Sequence, residues 1–207
     1  TQNKQALTFD IKRKIPNTLA RSGTISTPHG DIQTPAYIGA ATAATMKTLT
    51  NAEIDALGAQ SILSNTYHLM LRPGADLMEK AGGIHKFMNY HKPMYTDSGG
   101  FQVFSLAKPK DITEEGVHFK SIYNGDSLLL TPEKSIEIQN KLDSDIAMSF
   151  DECPPFPVTY EYMKNSVERT LRWAKRGQDA HKNEKQALFG IVQGGEYEDL
   201  RKHCAET

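Results

Sequence analysis

Short apolar runs recur along the chain, and stretches with helical periodicity separate them. The runs lie at residues 36–38, 61–63, 94–95, 145–150 and 187–192. Short continuous apolar runs are typical of strands buried on both faces, as in parallel sheets. Strands that alternate with helices predict an α/β fold. Two architectures satisfy the pattern: an open doubly wound sheet and a (β/α) barrel.

Three helices are predicted, and two of them carry capping signals at their starts. Thr50 and Glu53 have the spacing of a capping box, and Gly58 suits the end of that helix. Thr131 precedes a proline, the residue favoured at the first helical position. The longest predicted helix covers residues 159–180, where an apolar stripe recurs every three or four positions. The members of the stripe are Tyr160, Met163, Val167, Leu171 and Ala174.

Two antiparallel hairpins are predicted outside this alternation. In the first, residues 23–25 and 31–33 flank a turn that contains proline and glycine. In the second, residues 117–123 and 127–130 flank an Asn-Gly pair at 124–125. Because this pair readily adopts positive φ, it predicts a type I′ turn.

Polar residues follow four of the predicted strands. Asn65, Asp97, Asp151 and Gln193 stand at these strand ends. In a (β/α) barrel the carboxyl ends of all strands converge on one mouth, so the four would collect into one site, which favours the barrel. Five strands cannot close an eight-stranded barrel, so either the sheet is open or the chain is incomplete. No linker or repeat divides residues 1–207, which we interpret as one domain.

Composition and charge limit the classes of function. Of the 207 residues 38% are hydrophobic, enough for a core, and 24 Lys and Arg against 25 Asp and Glu give a net charge of −1. This balance does not favour indiscriminate nucleic-acid binding, so any RNA contact must be local. Cys153 and Cys204 lie far apart, which argues against a disulfide framework and fits a reducing cytoplasm. No apolar run approaches the roughly 18 residues of a membrane span, so we expect no membrane role.

The segment Asp-Ser-Gly-Gly-Phe-Gln at 97–102 is the most informative one. A carboxylate after an apolar strand, followed by Gly99 and Gly100, leaves room for a ligand to approach the backbone. Phe101 offers a flat face to a planar ring. The alternative is a tight strand-to-loop turn in which Asp97 caps a backbone amide.

Asp151 and Gln193 form a second candidate pair at the same rim. A buried carboxylate can accept hydrogen bonds from the ring NH and exocyclic amine of guanine, while an amide can donate to its carbonyl. The alternatives are an N-cap or loop anchor for Asp151 and a backbone bridge for Gln193. Cys153 is interpreted as a small buried hydrophobe, because nothing near it in the sequence marks it as a nucleophile.

Histidines and basic residues give weaker signals. His68 and His118 are assigned structural roles, and no spaced His or Cys cluster indicates a metal, so we expect no metal site within this chain. Residues 164–185 contain seven Lys or Arg and three Asp or Glu. This local excess fits a solvated helix face, and the alternative is a strip that contacts phosphates.

Several long motifs occur in one order along the chain. They are Ser-Asn-Thr-Tyr-His-Leu-Met-Leu-Arg-Pro-Gly at 64–74, Thr-Asp-Ser-Gly-Gly-Phe-Gln-Val-Phe-Ser-Leu at 96–106, Phe-Asp-Glu-Cys at 150–153, Leu-Arg-Trp-Ala at 171–174 and Phe-Gly-Ile-Val-Gln-Gly-Gly at 189–195. Together they resemble the tRNA-guanine transglycosylase (queuine tRNA-ribosyltransferase) family over nearly the whole chain. The stretch at 151–157 resembles the bacterial members, which implies a 7-deazaguanine precursor of queuosine as the incoming base.

The resemblance implies a (β/α)8 barrel that flips the wobble guanine of certain tRNAs into its mouth. An aspartate attacks the ribose, guanine leaves, and the incoming base displaces the enzyme from a covalent ribosyl intermediate, so the enzyme is a pentosyltransferase. By motif, Asp97 matches the proton-handling aspartate, and Asp151 and Gln193 bind the purine edge. Ser98, Gly99, Gly100 and Phe101 line the base pocket, with Phe101 stacking on the base.

The sequence departs from the family pattern at its end. In family members the nucleophilic aspartate, the anticodon-recognising segments and a structural zinc site of three Cys and one His lie beyond the position of Thr207. We therefore expect this chain to supply about five βα units, to lack the C-terminal barrel units and zinc subdomain, and to be inactive alone. The complete enzyme is expected to be a cytoplasmic homodimer. Two other hypotheses remain: a non-catalytic tRNA-binding paralogue or partner subunit, and a barrel enzyme acting on a free nucleobase or nucleoside.

Overall fold

A computed structural model of the protein describes residues 6–108 and 111–207. A five-stranded parallel sheet lies at its centre, with strand order β10-β9-β6-β5-β4. Each strand therefore lies beside the parallel strand nearest to it in the chain, and helices make the crossovers, so the predicted α/β class is confirmed. These strands are β4 (Gly39–Ala40), β5 (Ile62–Ser64), β6 (Met94–Thr96), β9 (Ile146–Met148) and β10 (Ala187–Phe189).

The strands are short and stand nearly level at their carboxyl ends. Ser64 pairs with Thr96, Thr96 with Ala147, and Phe189 with Met148. Polar residues just beyond these positions therefore meet along one rim of the sheet. In the described part of the chain, β4 and β10 each pair on one side only, so they form the two edges of this sheet.

One predicted strand is wrong. Residues 36–38 lie outside the strands, with Tyr37 86% exposed. The strand instead begins directly after this run, where Gly39 and Ala40 pair with Ile62 and Leu63. A run of three apolar residues does not fix which residues are buried, and the packing of the neighbouring strand decided the register.

Two antiparallel sheets flank the parallel one, and both predicted hairpins are present. The first sheet gains a strand that the sequence did not predict, the exposed β1. It contains β1 (Thr8–Lys14), β2 (Arg21–Thr27) and β3 (Gly30–Thr34), and the second contains β7 (Val117–Lys120) and β8 (Ser127–Leu130).

The predicted type I′ turn between β7 and β8 is wrong. Of its two central residues only Gly125 has positive φ, at 75°. The loop is longer, because the amide of Ser121 donates to the carbonyl of Asp126 at 2.9 Å. The Asn124 side chain instead donates to the Asp126 carboxylate at 2.7 Å, which stabilises a four-residue connection.

The helices begin where the capping signals predicted. Thr50 and Glu53 form the reciprocal capping box, and the Thr131 and Thr159 hydroxyls accept from backbone amides in their first turns. The helices are α1 (Asn51–Ala56), α2 (Thr66–Leu71), α3 (Ala75–Lys80), α4 (Ile84–Met88), α5 (Gly100–Leu106), α6 (Pro132–Leu142), α7 (Tyr160–Ala180) and α8 (Glu198–Glu206). In the portion of the chain that the structure describes, none of them combines the length and the apolar character needed to cross a membrane.

The buried face of α7 is centred on Trp173, which the predicted stripe did not include. Trp173 is fully buried and stacks on Phe150 with ring centroids 5.0 Å apart, while Tyr160 is 42% exposed. The Trp173 indole also donates to the carbonyl of Glu114 at 2.8 Å. The stripe is therefore rotated from the prediction, because an indole that finds a buried acceptor provides more contact area than the smaller apolar side chains.

Arginines on α7 form ion pairs that hold the preceding segments in place. Arg172 donates to the Glu114 carboxylate through two nitrogens at 2.7 and 2.8 Å, and Arg176 donates to Glu133 in the same manner at 2.6 and 2.8 Å. Bidentate pairs of this kind fix geometry as well as charge. These two arginines are therefore engaged within the protein, which disfavours a phosphate-contacting strip at this face.

Candidate active site

Asp97 lies directly after β6 and is held by three donors. The Asn65 side chain donates to one carboxylate oxygen at 2.6 Å, and the amides of Thr66 and Gly99 donate to the other at 3.0 Å each. Asn65 follows β5 and also caps α2, its own side-chain oxygen accepting from the His68 amide at 3.0 Å. The neighbouring strand end thus fixes the orientation of Asp97.

Burial raises the pKa of Asp97, although the amides of Thr66 and Gly99 and the side chain of Asn65 act in the opposite direction. The neutral acid is favoured because the surroundings solvate a charge poorly. Asp97 can consequently hold a proton more readily than an exposed aspartate, while both of its oxygens stay oriented.

Two glycines after Asp97 bring the first turn of α5 close to its neighbours. Gly99 has φ of 77°, and a Cβ atom there would lie 3.0 Å from the Tyr67 amide nitrogen. A Cβ on Gly100 would lie 3.2 Å from the Asp151 carbonyl oxygen. A side chain at either position would require its neighbours to shift by a few tenths of an ångström, and at Gly99 it would also be strained by the positive φ, so glycine suits this close approach.

Asp151 and Gln193 come together from the ends of β9 and β10. The Gln193 amide nitrogen lies 2.6 Å from a carboxylate oxygen of Asp151, across 42 residues of sequence. Burial raises the pKa of Asp151, the bond from Gln193 opposes this shift, and the charge of Asp97 adds to it. The influence of Asp97 on Asp151 places the two carboxylates in one electrostatic environment.

An apolar cavity of about 330 Å³ adjoins this rim. Phe101 stands at its edge with 68% of its surface exposed, so its ring is open to a planar ligand. Burial raises the pKa of the Cys153 thiol and the charge of Asp151 adds to this shift, so Cys153 is not activated as a nucleophile. The lining consists of Phe101, Phe104, Ser105, Ala107, Ile112, Cys153, Pro154, Pro155 and Tyr162.

Glu152 anchors the loop that carries Asp151 and is a residue that sequence reasoning missed. Its carboxylate is buried and pairs with Arg169, and it accepts from the Tyr162 hydroxyl at 3.1 Å. Its amide donates to the Thr170 hydroxyl at 3.1 Å. Three contacts to α7 therefore fix Glu152, the residue between Asp151 and Cys153. The available signal was a second carboxylate directly after Asp151 at the end of an apolar run, since a carboxylate that becomes buried requires a partner.

The remaining residues singled out in the sequence are Ser98, His68 and His118. The Ser98 hydroxyl accepts from the Gly100 amide at 3.3 Å, and the Ser98 carbonyl accepts from Ser135 at 2.7 Å. His68 is half-buried, and its positive charge would lower the pKa of Asp97. His118 is exposed on β7 and lies outside the candidate site.

Comparison with known proteins assigns the family. The profile of the family described as queuine tRNA-ribosyltransferase matches residues 17–207. The chain belongs to the queuine tRNA-ribosyltransferase family. It is 59% identical to the enzyme of that name from Listeria welshimeri over 202 residues, which cover 97% of this chain and 53% of the relative. The Bacillus subtilis enzyme is 56% identical over 204 residues, covering 98% of this chain and 54% of the relative.

The chain spans about half the length of these queuine tRNA-ribosyltransferases. A zinc site of three Cys and one His, implied by the resemblance, does not fit the residues present, because the chain has two cysteines.

Proposed function

We propose that the complete protein is a tRNA-guanine transglycosylase that exchanges the wobble guanine of tRNA for a 7-deazaguanine base. The observation that carries this proposal is the pairing of Asp151 with Gln193 near a second half-buried carboxylate, Asp97, whose charge acts on Asp151. A guanine edge presents two NH donors and a carbonyl acceptor, and this pair offers a carboxylate acceptor next to an amide donor.

Asp151 and Gln193 are assigned to the base. Asp151 accepts from the ring NH and exocyclic amine in its ionised form, and the amide of Gln193 has a second hydrogen with which to donate to the base carbonyl. Phe101 stacks on the exposed face of the ring, and Ser98, Gly99 and Gly100 form the wall beside it. The small residues suit this role because a base can approach their backbone closely.

Asp97 is assigned to proton transfer and not to nucleophilic attack. Both of its oxygens accept hydrogen bonds, and a carboxylate held in this way attacks a ribose carbon poorly. Its raised pKa supports a role in which it gives a proton to the leaving base and takes one from the incoming base. The nucleophilic aspartate is proposed to lie in a part of the enzyme beyond Thr207, with a covalent ribosyl intermediate between the two displacements.

The barrel itself is part of the proposal. Five parallel strands in chain order support a (β/α)8 barrel to which the complete protein adds three further units at the edges formed by β4 and β10. The structural zinc, the homodimer and the cytoplasmic location predicted from the resemblance are proposed for the complete protein in the same way.

The test is incorporation of labelled guanine into tRNA by the complete protein. Exchange should require Asp97 and Asp151, whereas Asp31→Asn, which alters an exposed carboxylate on β3, should leave the rate unchanged. Label that stays out of tRNA, with tRNA still bound, would favour the non-catalytic paralogue. Turnover of a free nucleobase or nucleoside without tRNA would favour the third hypothesis.

A further inference from the structure

A second cluster of chemically active side chains lies at the opposite end of the parallel sheet from the candidate active site. His29 stands in the turn between β2 and β3, His85 in the first turn of α4, and Asp145 immediately before β9. The residues come from three separate elements and are 56 to 116 positions apart in sequence. The packing of α4 against the start of β9 brings His85 to Asp145, and the packing of the first hairpin adds His29.

The three side chains converge through their donor atoms. His29 Nδ1 lies 2.8 Å from one oxygen of Asp145, and His85 Nε2 lies 3.2 Å from the other. One atom from each residue can be chosen so that all three lie within 4.8 Å of one another. Ligands around a tetrahedral zinc with bonds of about 2.0–2.1 Å stand about 3.3 Å apart, so donor atoms that are now up to 4.8 Å apart must move closer to hold the ion.

Burial and charge also suit a cation. The Asp145 side chain is fully buried and that of His85 is 9% exposed, while that of His29 is 39% exposed. The two oxygens of the Asp145 carboxylate each face an imidazole nitrogen, one of His29 and one of His85. The Met94 amide donates at 2.9 Å and fixes the carboxylate from behind, as outer partners do in metal sites.

We propose that His29, His85 and Asp145 form a binding site for a divalent transition metal, with Zn²⁺ as the preferred ion. Two imidazoles and one carboxylate are a donor set that zinc favours, and the exposed side at His29 leaves a fourth position for water. This site is distinct from the thiolate zinc site implied by the family resemblance, because it contains no cysteine. Its function would be to fasten the first antiparallel sheet to the parallel one.

Binding requires one rearrangement. The rings of His29 and His85 are stacked, with centroids 3.6 Å apart and planes inclined by 12°. An imidazole lone pair lies in the plane of its ring, and two nearly parallel planes do not meet near the rings, so one ring must turn before both nitrogens can point at one ion. His29 can turn because it is partly exposed, whereas His85 Nε2 lies 3.1 Å from the Lys92 carbonyl and must give up that contact. The metal then replaces the protons that now link the nitrogens to Asp145.

Cobalt substitution in the complete protein tests the proposal. After treatment with a chelator, Co²⁺ should produce visible d–d bands from tetrahedral nitrogen and oxygen ligands, separate from the sulfur-to-cobalt charge-transfer bands of any thiolate site. His29→Ala should abolish the d–d component that lacks charge transfer and lower the bound zinc by one equivalent, measured by elemental analysis. His118→Ala, which removes an exposed histidine from β7, should change neither quantity.

A thermal shift provides the second readout, because a ligand that binds only the folded state raises the melting temperature with its concentration. Added Zn²⁺ should raise the melting temperature of the unaltered protein more than that of His29→Ala. Since His29 lies in a partly exposed turn, this variant should fold. Equal metal content, equal cobalt spectra and equal thermal shifts in the two proteins would overturn the proposal and leave the cluster a hydrogen-bonded clamp. Base exchange takes no part in this test, so its outcome is independent of the proposed enzyme activity.

Discussion

Replacing Asp151 by asparagine tests the base-binding assignment most directly. In the free protein, Asp151 accepts from the Gln193 amide at 2.6 Å. An asparagine keeps the size of the side chain, and Gln193 can turn its amide over to restore a hydrogen bond. Bound guanine is different, because it presents two NH donors, and an asparagine offers them one acceptor and one opposing donor.

The size of the effect follows from the lost interaction. A hydrogen bond to a charged group contributes about 1.5–3 kcal/mol, and each 1.4 kcal/mol corresponds to a factor of ten in affinity. The affinity for guanine should therefore fall by roughly tenfold to 150-fold, with a matching rise in the KM for the base.

The stability of the folded protein, unlike its affinity for guanine, should not fall in Asp151→Asn. Because burial raises the folded-state pKa of Asp151, its favourable contribution to stability exists below the unfolded pKa and is lost as the pH rises through the folded value. At neutral pH the fold therefore carries a buried charge that Asp151→Asn removes. The melting temperature of the variant at neutral pH should be no lower than that of the unaltered protein.

The measurement is a calorimetric titration of the complete protein with guanine, with Asp31→Asn as a matched control at an exposed aspartate. A folded Asp151→Asn protein that binds guanine with unchanged affinity would refute the reasoning and place Asp151 outside the base pocket.

Three further predictions concern Asp97, Asp151 and Trp173. Asp97→Asn should lower base exchange by a factor of hundreds or more while tRNA affinity is retained, and exchange at a near-normal rate would exclude Asp97 as the proton-transfer group. As the pH is lowered, guanine affinity should begin to fall at a pH above the ordinary aspartate pKa of about 3.9, because the pKa of Asp151 is raised. Asp151→Asn should lack this pH dependence. An equally steep loss of affinity in that variant would point to another group. Trp173→Ala should lower the free energy of unfolding, measured with denaturant, by about 3–5 kcal/mol, because the indole is fully buried, stacks on Phe150 and donates to the Glu114 carbonyl. A loss of unfolding free energy below about 1 kcal/mol would contradict that account.

The sequence by itself determined the local features of this protein. The alternation of apolar runs with helical periods predicted the α/β class, and the hydroxyls of Thr50 and Thr131 marked two helix starts that the structure has. The order of the long motifs indicated the family. These signals can be recognised in the sequence because each depends on residues within a few positions of one another. Over that distance, backbone geometry alone dictates the spacing of the residues.

Only the tertiary structure decided which distant side chains meet. The bond between Asp97 and Asn65 joins residues 32 apart, and that between Asp151 and Gln193 joins residues 42 apart. The sequence placed all four at strand ends, but their pairing depends on the order and register of the strands. The buried face of α7 was decided in the same way, because Trp173 finds its partners in segments far along the chain.

The cluster of His29, His85 and Asp145 shows the limit most clearly. His29 and Asp145 are 116 residues apart in sequence, yet His29 Nδ1 lies 2.8 Å from Asp145 Oδ1. No spacing in the sequence therefore indicates a shared site. Periodicity reports whether a residue faces the core or the solvent, and it carries no information on which other element covers that face. That choice is made when the first hairpin and α4 pack against the base of the parallel sheet, because the contact that buries Ile32 of the hairpin also brings His29 to the carboxylate that His85 already contacts.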